Sequence, residues 1–227
     1  MHRLLVLPHA GGAAHGYLPL RQALEPAVPV LCHELPGRGK RSREAKAKNL
    51  NSAVDDILQA SAELRQGTWS VFGHSMGALL AHALVRRLLE LGQALPQGIY
   101  ASGTMAPSAR QRKSISQLPR DDFWREIRAY GGVPAEILAV PDFMDYFEGI
   151  LRDDFRLLEE ALPPPSPVPV PVTVLYGTDE MTLTQAESWT AETTRPVVIH
   201  GFSGHHFFLS TQFAAVAKVI RDGMAAS

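Results

Sequence analysis

Gly73-His74-Ser75-Met76-Gly77 joins two stretches of opposite periodicity. Before it, Trp69-Ser70-Val71-Phe72 is a short run rich in strand-forming side chains. After it, Gly77-Ala78-Leu79-Leu80-Ala81 opens a long helical pattern. A strand that becomes a helix across so tight a turn forces a strained backbone on its central residue. Glycine two positions before and two after removes the Cβ atoms that would otherwise clash there.

The rest of the chain repeats the alternation. Strands are expected at Leu4–Leu7, Val28–Leu35, Trp69–Gly73, Gly98–Ser102, Val172–Gly177 and Val197–Gly201. All are apolar on both faces, as parallel strands covered by helices on each side must be. Helical spacing occupies Leu18–Leu24, Ser52–Leu64, Gly77–Leu91 and Ser210–Met224. This order predicts a parallel, doubly wound α/β sheet. With 227 residues, 45% of them hydrophobic and 20% charged, the chain suits a single domain with a full core.

One region breaks the rhythm. From about Arg110 to Leu162 only helical patterns occur, at Asp121–Tyr130 and Asp142–Leu162, so this stretch reads as a helical insertion. Its Phe123, Trp124, Phe143, Met144, Tyr146 and Phe147 are candidates to line a substrate cavity, with packing of the insertion's own core as the plainer role. The proline-rich run from Pro163 to Pro171 is expected to be a stiff, extended connector into the next strand.

The turn at Ser75 lifts its hydroxyl clear of the sheet and sets it at a helix N-terminus, where free N–H groups favour a developing oxyanion. That placement suits a nucleophile. A serine nucleophile needs a base, and the base needs an orienting acid. Asp179, in Gly177-Thr178-Asp179-Glu180 after the strand Val172–Tyr176, stands where an acid is expected; Glu180 is the adjacent alternative, and Asp153 and Asp154 are weaker ones. The base belongs in Gly204-His205-His206-Phe207-Phe208, before the last helix, and spacing alone leaves His205 and His206 open. His74 is expected to pack behind the turn. Met76 supplies one oxyanion N–H, and the glycine-rich loop Pro8-His9-Ala10-Gly11-Gly12 supplies a second. Adjacent histidines diverge, so no metal site is expected.

Net charge is −1, which gives no reason to expect nucleic-acid binding. The lone Cys32 excludes an internal disulfide and fits a reducing compartment. The apolar stretch Leu4–Leu7 is too short for a signal segment, and no stretch approaches the ~20 apolar residues of a membrane span. A monomer in the cytoplasm is the expectation, with no cofactor.

Four motifs then occur in order: Pro8-His9-Ala10-Gly11-Gly12-Ala13, Leu35-Pro36-Gly37-Arg38-Gly39-Lys40-Arg41, Gly73-His74-Ser75-Met76-Gly77-Ala78 and Gly204-His205-His206-Phe207-Phe208-Leu209. Together, over essentially the whole chain, they resemble the type II thioesterases that accompany polyketide and nonribosomal peptide synthetases. Arg152-Asp153-Asp154-Phe155-Arg156 is similar to a segment near the end of that family's lid. The resemblance implies an α/β-hydrolase fold whose lid is the 110–162 insertion. It implies hydrolysis of acyl or aminoacyl groups from the phosphopantetheine thiol of carrier proteins, which clears stalled or misprimed synthetase modules. By the same resemblance Ser75 is the nucleophile, Asp179 the acid, His206 the base and Ala10 the first-loop oxyanion donor. Where the family usually has Gly-Gly-His, this chain has Gly204-His205-His206, so His205 is a departure.

The basic run Arg38, Lys40, Arg41, Arg43, Lys46 and Lys48 is a candidate docking patch for acidic carrier proteins, or else a solvated loop. A hydrolase of free esters, or a catalytically silent binding module on the same scaffold, are the alternative functions.

Overall fold

In the computed structural model, all residues are described except 112, 132, 134–138, 161–163 and 226–227. Six parallel strands form one sheet in the order β2-β1-β3-β4-β5-β6. They are β1 (Arg3–Leu7), β2 (Val30–Cys32), β3 (Trp69–His74), β4 (Ile99–Ser102), β5 (Val172–Gly177) and β6 (Val197–Phe202). The helices of eight or more residues outside the β4–β5 connection are α2 (Leu50–Ala60), α3 (Met76–Glu90) and, at the end, a helix over Leu209–Ala225. The shorter α1 spans Leu18–Leu24. Between β4 and β5 lie α4 (Arg120–Tyr130) and α5 (Pro141–Glu160), followed after β5 by the short α6 (Leu183–Glu187), which makes the Leu209–Ala225 helix α7. The helical 110–162 region therefore falls between two core strands as expected, although its end at Leu162 and the first proline, Pro163, lie outside the described residues.

The period of two along β1 divides the core. Leu5 and Leu7 face the layer of α2 and α3, whereas Leu4 and Val6 face the layer of α1 and α7, where they meet Leu20, Leu24, Val216 and Ile220. Phe72 and Val71 on β3 are fully buried on opposite faces, and each such side chain contributes roughly 1.5–3 kcal/mol. The edge strands differ from the expectation of burial on both faces: Leu31 on β2 and Val198 on β6 are exposed. β2 is also short, three residues in place of the eight expected from Val28–Leu35. An edge strand has one neighbour, and the flanking helices cover the centre of the sheet rather than its rims.

α2 begins at Leu50 instead of Ser52 because Asn49 caps it. Asn49 Oδ1 accepts from Ser52 N–H at 2.8 Å, and Ser52 Oγ accepts from Asn49 N–H at 3.1 Å. Downstream of the insertion, Val168 pairs with Thr193 in an isolated parallel bridge, and the chain bends at Pro169 and Val170 before β5, so the run is strand-like at one residue rather than extended throughout.

The β3–α3 junction is the tightest point of the fold. A Cβ on Gly77 would lie 1.9 Å from the Leu7 carbonyl oxygen, and one on Gly73 would lie 2.1 Å from the Gly77 oxygen. Both obstacles are backbone in the core, which cannot swing aside. Gly77→Ala is therefore expected to prevent folding, seen as loss of soluble protein or of a cooperative thermal transition.

Candidate active site

Ser75 is the one non-glycine residue with positive φ among the described residues, at φ 54° and ψ −113°. It stands at the N-cap of α3, and its N–H donates to the Ser102 carbonyl at 2.7 Å, which ties the turn to β4. Strain of this kind persists only where the surroundings enforce it. His74 sits behind the turn, fully buried, with Nδ1 2.9 Å from Ser102 Oγ. Burial, reinforced by the nearby His206 and His9, holds its pKa well below the ordinary value, so the ring is neutral.

The loop after β6 resolves the two histidines. His205 is exposed, whereas His206 is buried and lines the same cavity as Ser75. His206 Nδ1 lies 2.9 and 3.0 Å from the two carboxylate oxygens of Glu180. That contact commits Nδ1 and leaves Nε2 as the nitrogen able to serve a reacting group. Ser75 and His206 share the cavity wall without a direct hydrogen bond between them.

Glu180, and not Asp179, is thus the carboxylate on the histidine. The correction has a backbone cause. Thr178 N–H donates to the Phe202 carbonyl at 2.8 Å and Asp179 N–H to the Gly204 carbonyl at 3.1 Å, which locks the turn after β5 against the histidine loop. In that turn Asp179 is exposed, its side chain accepting only a long 3.4 Å bond from Thr178 Oγ1, while Glu180 reaches back to the ring. The weaker alternatives also lie elsewhere: Asp153 pairs with Lys46 at 2.7 Å, and Asp154 is buried under the first loop.

In that first loop His9 N–H donates to Tyr17 Oη at 3.2 Å, Gly11 N–H to Asp154 Oδ2 at 2.7 Å and Gly12 N–H to the His9 carbonyl at 2.9 Å. Ala10 N–H alone of the four makes no hydrogen bond among the described residues. Met76 N–H, in the first turn of α3, likewise has no acceptor within its helix. Both are open donors, and Ala10 and Ser75 line the cavity. The His9 ring packs edge-on against Phe207, 4.9 Å between centroids; burial first, then the charges of His206 and Arg38, push its pKa down to about 4.

The loop is held in place by a residue that only the tertiary structure brings there. Asp154 on α5 accepts two hydrogen bonds from the Arg38 guanidinium, each at 2.5 Å, besides the one from Gly11. Asp154 and Arg38 are both buried. Arg38 is therefore not part of a surface basic patch, which corrects the expectation for it. Arg41 is also engaged, by Asp56, Glu44 and the Glu34 carbonyl, whereas Lys40 and Arg43 remain exposed. Asp154→Asn would leave a buried guanidinium without its counter-charge, a change worth about 3–5 kcal/mol. A matching fall in unfolding free energy by urea titration, with reduced turnover, is expected.

The cavity holds about 430 Å³ and runs from Ser75 and His206 between α4, α5 and the segment after β4. Of the insertion residues expected to line it, Phe147 does. Phe123 and Trp124 do not: both are buried in the core beneath α5, with Arg152 lying 4.2 Å over the Phe123 ring and Trp124 Nε1 donating to Glu148 at 2.9 Å. Met144 packs on the core outside the cavity, and Phe143 and Tyr146 are exposed. The walls come instead from residues the sequence did not single out, chiefly Ile127, Tyr130, Leu151, Phe155 and Leu158. Helical spacing marks an apolar stripe but not what lies against it.

A six-stranded parallel sheet, a strained serine turn between strand and helix, and a carboxylate-held histidine after the last strand define an α/β-hydrolase fold. The chain belongs to the thioesterase domain family, which matches residues 2–223, and is a hydrolase of that family. It is 33% identical over 225 residues to a probable cadicidin biosynthesis thioesterase of Streptomyces griseus, an alignment that takes in 98% of this chain and 62% of that protein. It is 30% identical to thioesterase PikA5 of Streptomyces venezuelae, over 97% of this chain and 80% of that one. The chain thus spans about three fifths and four fifths of these two relatives. Among solved structures, ClbQ from the colibactin NRPS/PKS pathway superposes with a TM-score of 0.90 at 27% identity, covering 99% of this chain and 97% of that one. The type II thioesterase BorB from the borrelidin biosynthetic cluster superposes with a TM-score of 0.86 at 28% identity, covering 98% and 92%.

Proposed function

We propose that this chain is a type II thioesterase of polyketide or nonribosomal peptide biosynthesis, releasing acyl or aminoacyl groups from the phosphopantetheine arms of carrier proteins. The observation that carries the reading is Ser75, held at a strained turn and opening with the Glu180-bound His206 into one cavity. The relatives named for such pathways support the substrate class.

In the proposed mechanism His206 Nε2 takes the Ser75 proton as Oγ attacks the thioester carbonyl. Glu180 stabilises the imidazolium through Nδ1–H. The oxyanion is held by the N–H groups of Met76 and Ala10, each worth on the order of 3 kcal/mol by analogy with other serine hydrolases. Collapse breaks the C–S bond, and His206 returns the proton to the departing thiolate. Water, deprotonated by the same ring, then attacks the acyl-enzyme, and the free acid leaves with Ser75 reprotonated. The helices α4 and α5 act as the lid over the acyl group. The protein works in the cytoplasm as a monomer, and Lys40, Arg43 and Lys48 are the surface cations of the basic run left to meet an acidic carrier.

The test is to present acyl-phosphopantetheine carrier protein, acyl-CoA and simple esters side by side, following release by mass spectrometry. Faster turnover of the carrier-bound thioester is expected, and charge reversal at Lys40 and Arg43 is expected to raise KM for the carrier alone. Preference for simple esters would sink the thioesterase reading; absence of both turnover and an acyl adduct would leave a binding module.

A further inference from the structure

The acyl cavity has a mixed polar and apolar wall, and two cations stand in it, the exposed Lys113 and the half-buried Arg110. The Arg110 guanidinium makes one hydrogen bond among the described residues, a long one of 3.4 Å to the Leu158 carbonyl. A guanidinium has five N–H donors, so among the described residues most of its capacity is unspent. The carboxylate nearest in sequence to that contact, Glu159, is already engaged, accepting from Ser116 N–H at 2.8 Å and from Ser116 Oγ–H at 2.5 Å. Glu180, the other acid in the wall, is held by His206. Burial disfavours the charge on Arg110, with Tyr130 and Glu159 compensating in part. Tyr130 lies between the two ends of the site: its ring meets His206 edge-on at 5.3 Å between centroids, and it feels the Arg110 charge. A half-buried cation facing an acyl cavity with donors to spare is a recognition element for an anion.

Building on the thioesterase reading, we propose that Arg110 selects acyl groups whose far end carries a carboxylate, so that the preferred substrates are half-thioesters of dicarboxylic acids. The bound chain lies along the cavity wall with its thioester carbon at Ser75 and its distal carboxylate against the Arg110 fork. Chain length decides whether both ends are reached at once. Arg110 is a specificity-determining residue with no part in bond making.

The experiment uses N-acetylcysteamine thioesters, which lack the phosphate of the natural arm, in two series of rising length: dicarboxylic half-thioesters from malonyl to adipoyl, and the matching methyl-ended chains. At one length kcat/KM for the diacid is expected to exceed that of its neutral partner by about tenfold to a hundredfold, the range of one charged hydrogen-bonded contact. Arg110→Met should erase that preference while leaving neutral chains within about twofold, Arg110→Lys should restore part of it, and thermal melting should be unchanged in both. Equal turnover of both series at every length overturns the proposal while the thioesterase reading stands. Loss of Arg110→Met activity confined to phosphopantetheine-borne substrates also overturns it, assigning the cation to the phosphate instead. Failure to cleave any thioester sinks the underlying reading as well.

Discussion

Ser75→Ala is expected to lower kcat by about a millionfold, the loss seen when the nucleophile of a serine hydrolase triad is removed. The size of the effect follows from what Ser75 alone supplies. The two open N–H groups and the cavity persist in the variant, but the covalent route through an acyl-enzyme is gone, and water must attack the thioester directly. Alanine keeps the Cβ that the turn already accommodates at φ 54°, so the melting temperature should stay near that of the parent chain. Intact-protein mass spectrometry after incubation with a thioester should show an acyl adduct on the parent and none on the variant. Turnover within tenfold of the parent would mean that the nucleophile lies elsewhere.

The second large effect separates two adjacent carboxylates. Glu180→Gln is expected to reduce kcat by about 10³- to 10⁴-fold, because an amide cannot stabilise the imidazolium and can hold the ring in the wrong tautomer. Asp179→Asn is expected to change kcat by no more than about twofold, as for an ordinary exposed position. Glu180→Asp should fall between, since it keeps the charge but shortens the reach to Nδ1, now 2.9 Å. The kcat of all three variants, measured at saturating thioester, decides the matter. A large loss in Asp179→Asn with a small one in Glu180→Gln would return the acid role to Asp179.

Several features were legible in the chain because their causes are local. The turn at Ser75 follows from two glycines bracketing a strand end and a helix start, and its backbone strain is a property of those few residues. The central strands β1, β3, β4 and β5 declared themselves as apolar runs because both of their faces are covered. The edges were harder to bound, since partial exposure relaxes the demand for apolar side chains at Leu31 and Val198. The family motifs singled out His206 over His205, and the fold buries the first and exposes the second.

The strand–turn–helix at Ser75, the order of β and α elements and the loop that carries the histidine could all be read from the residues alone, since each is written in periodicity and in residues close together along the chain. It took the folded chain to bring Glu180 rather than Asp179 to His206, to draw Arg38 out of the basic run to Asp154 beneath the loop of Ala10, and to turn Leu151, Tyr130 and Phe155 rather than Phe123 and Trp124 toward the cavity. The physical reason is the same in each case. Which of two neighbouring side chains points inward is fixed by backbone hydrogen bonds and packing partners from far along the chain, such as Gly204 for Asp179 and Asp154 for Arg38, and no local pattern encodes those partners.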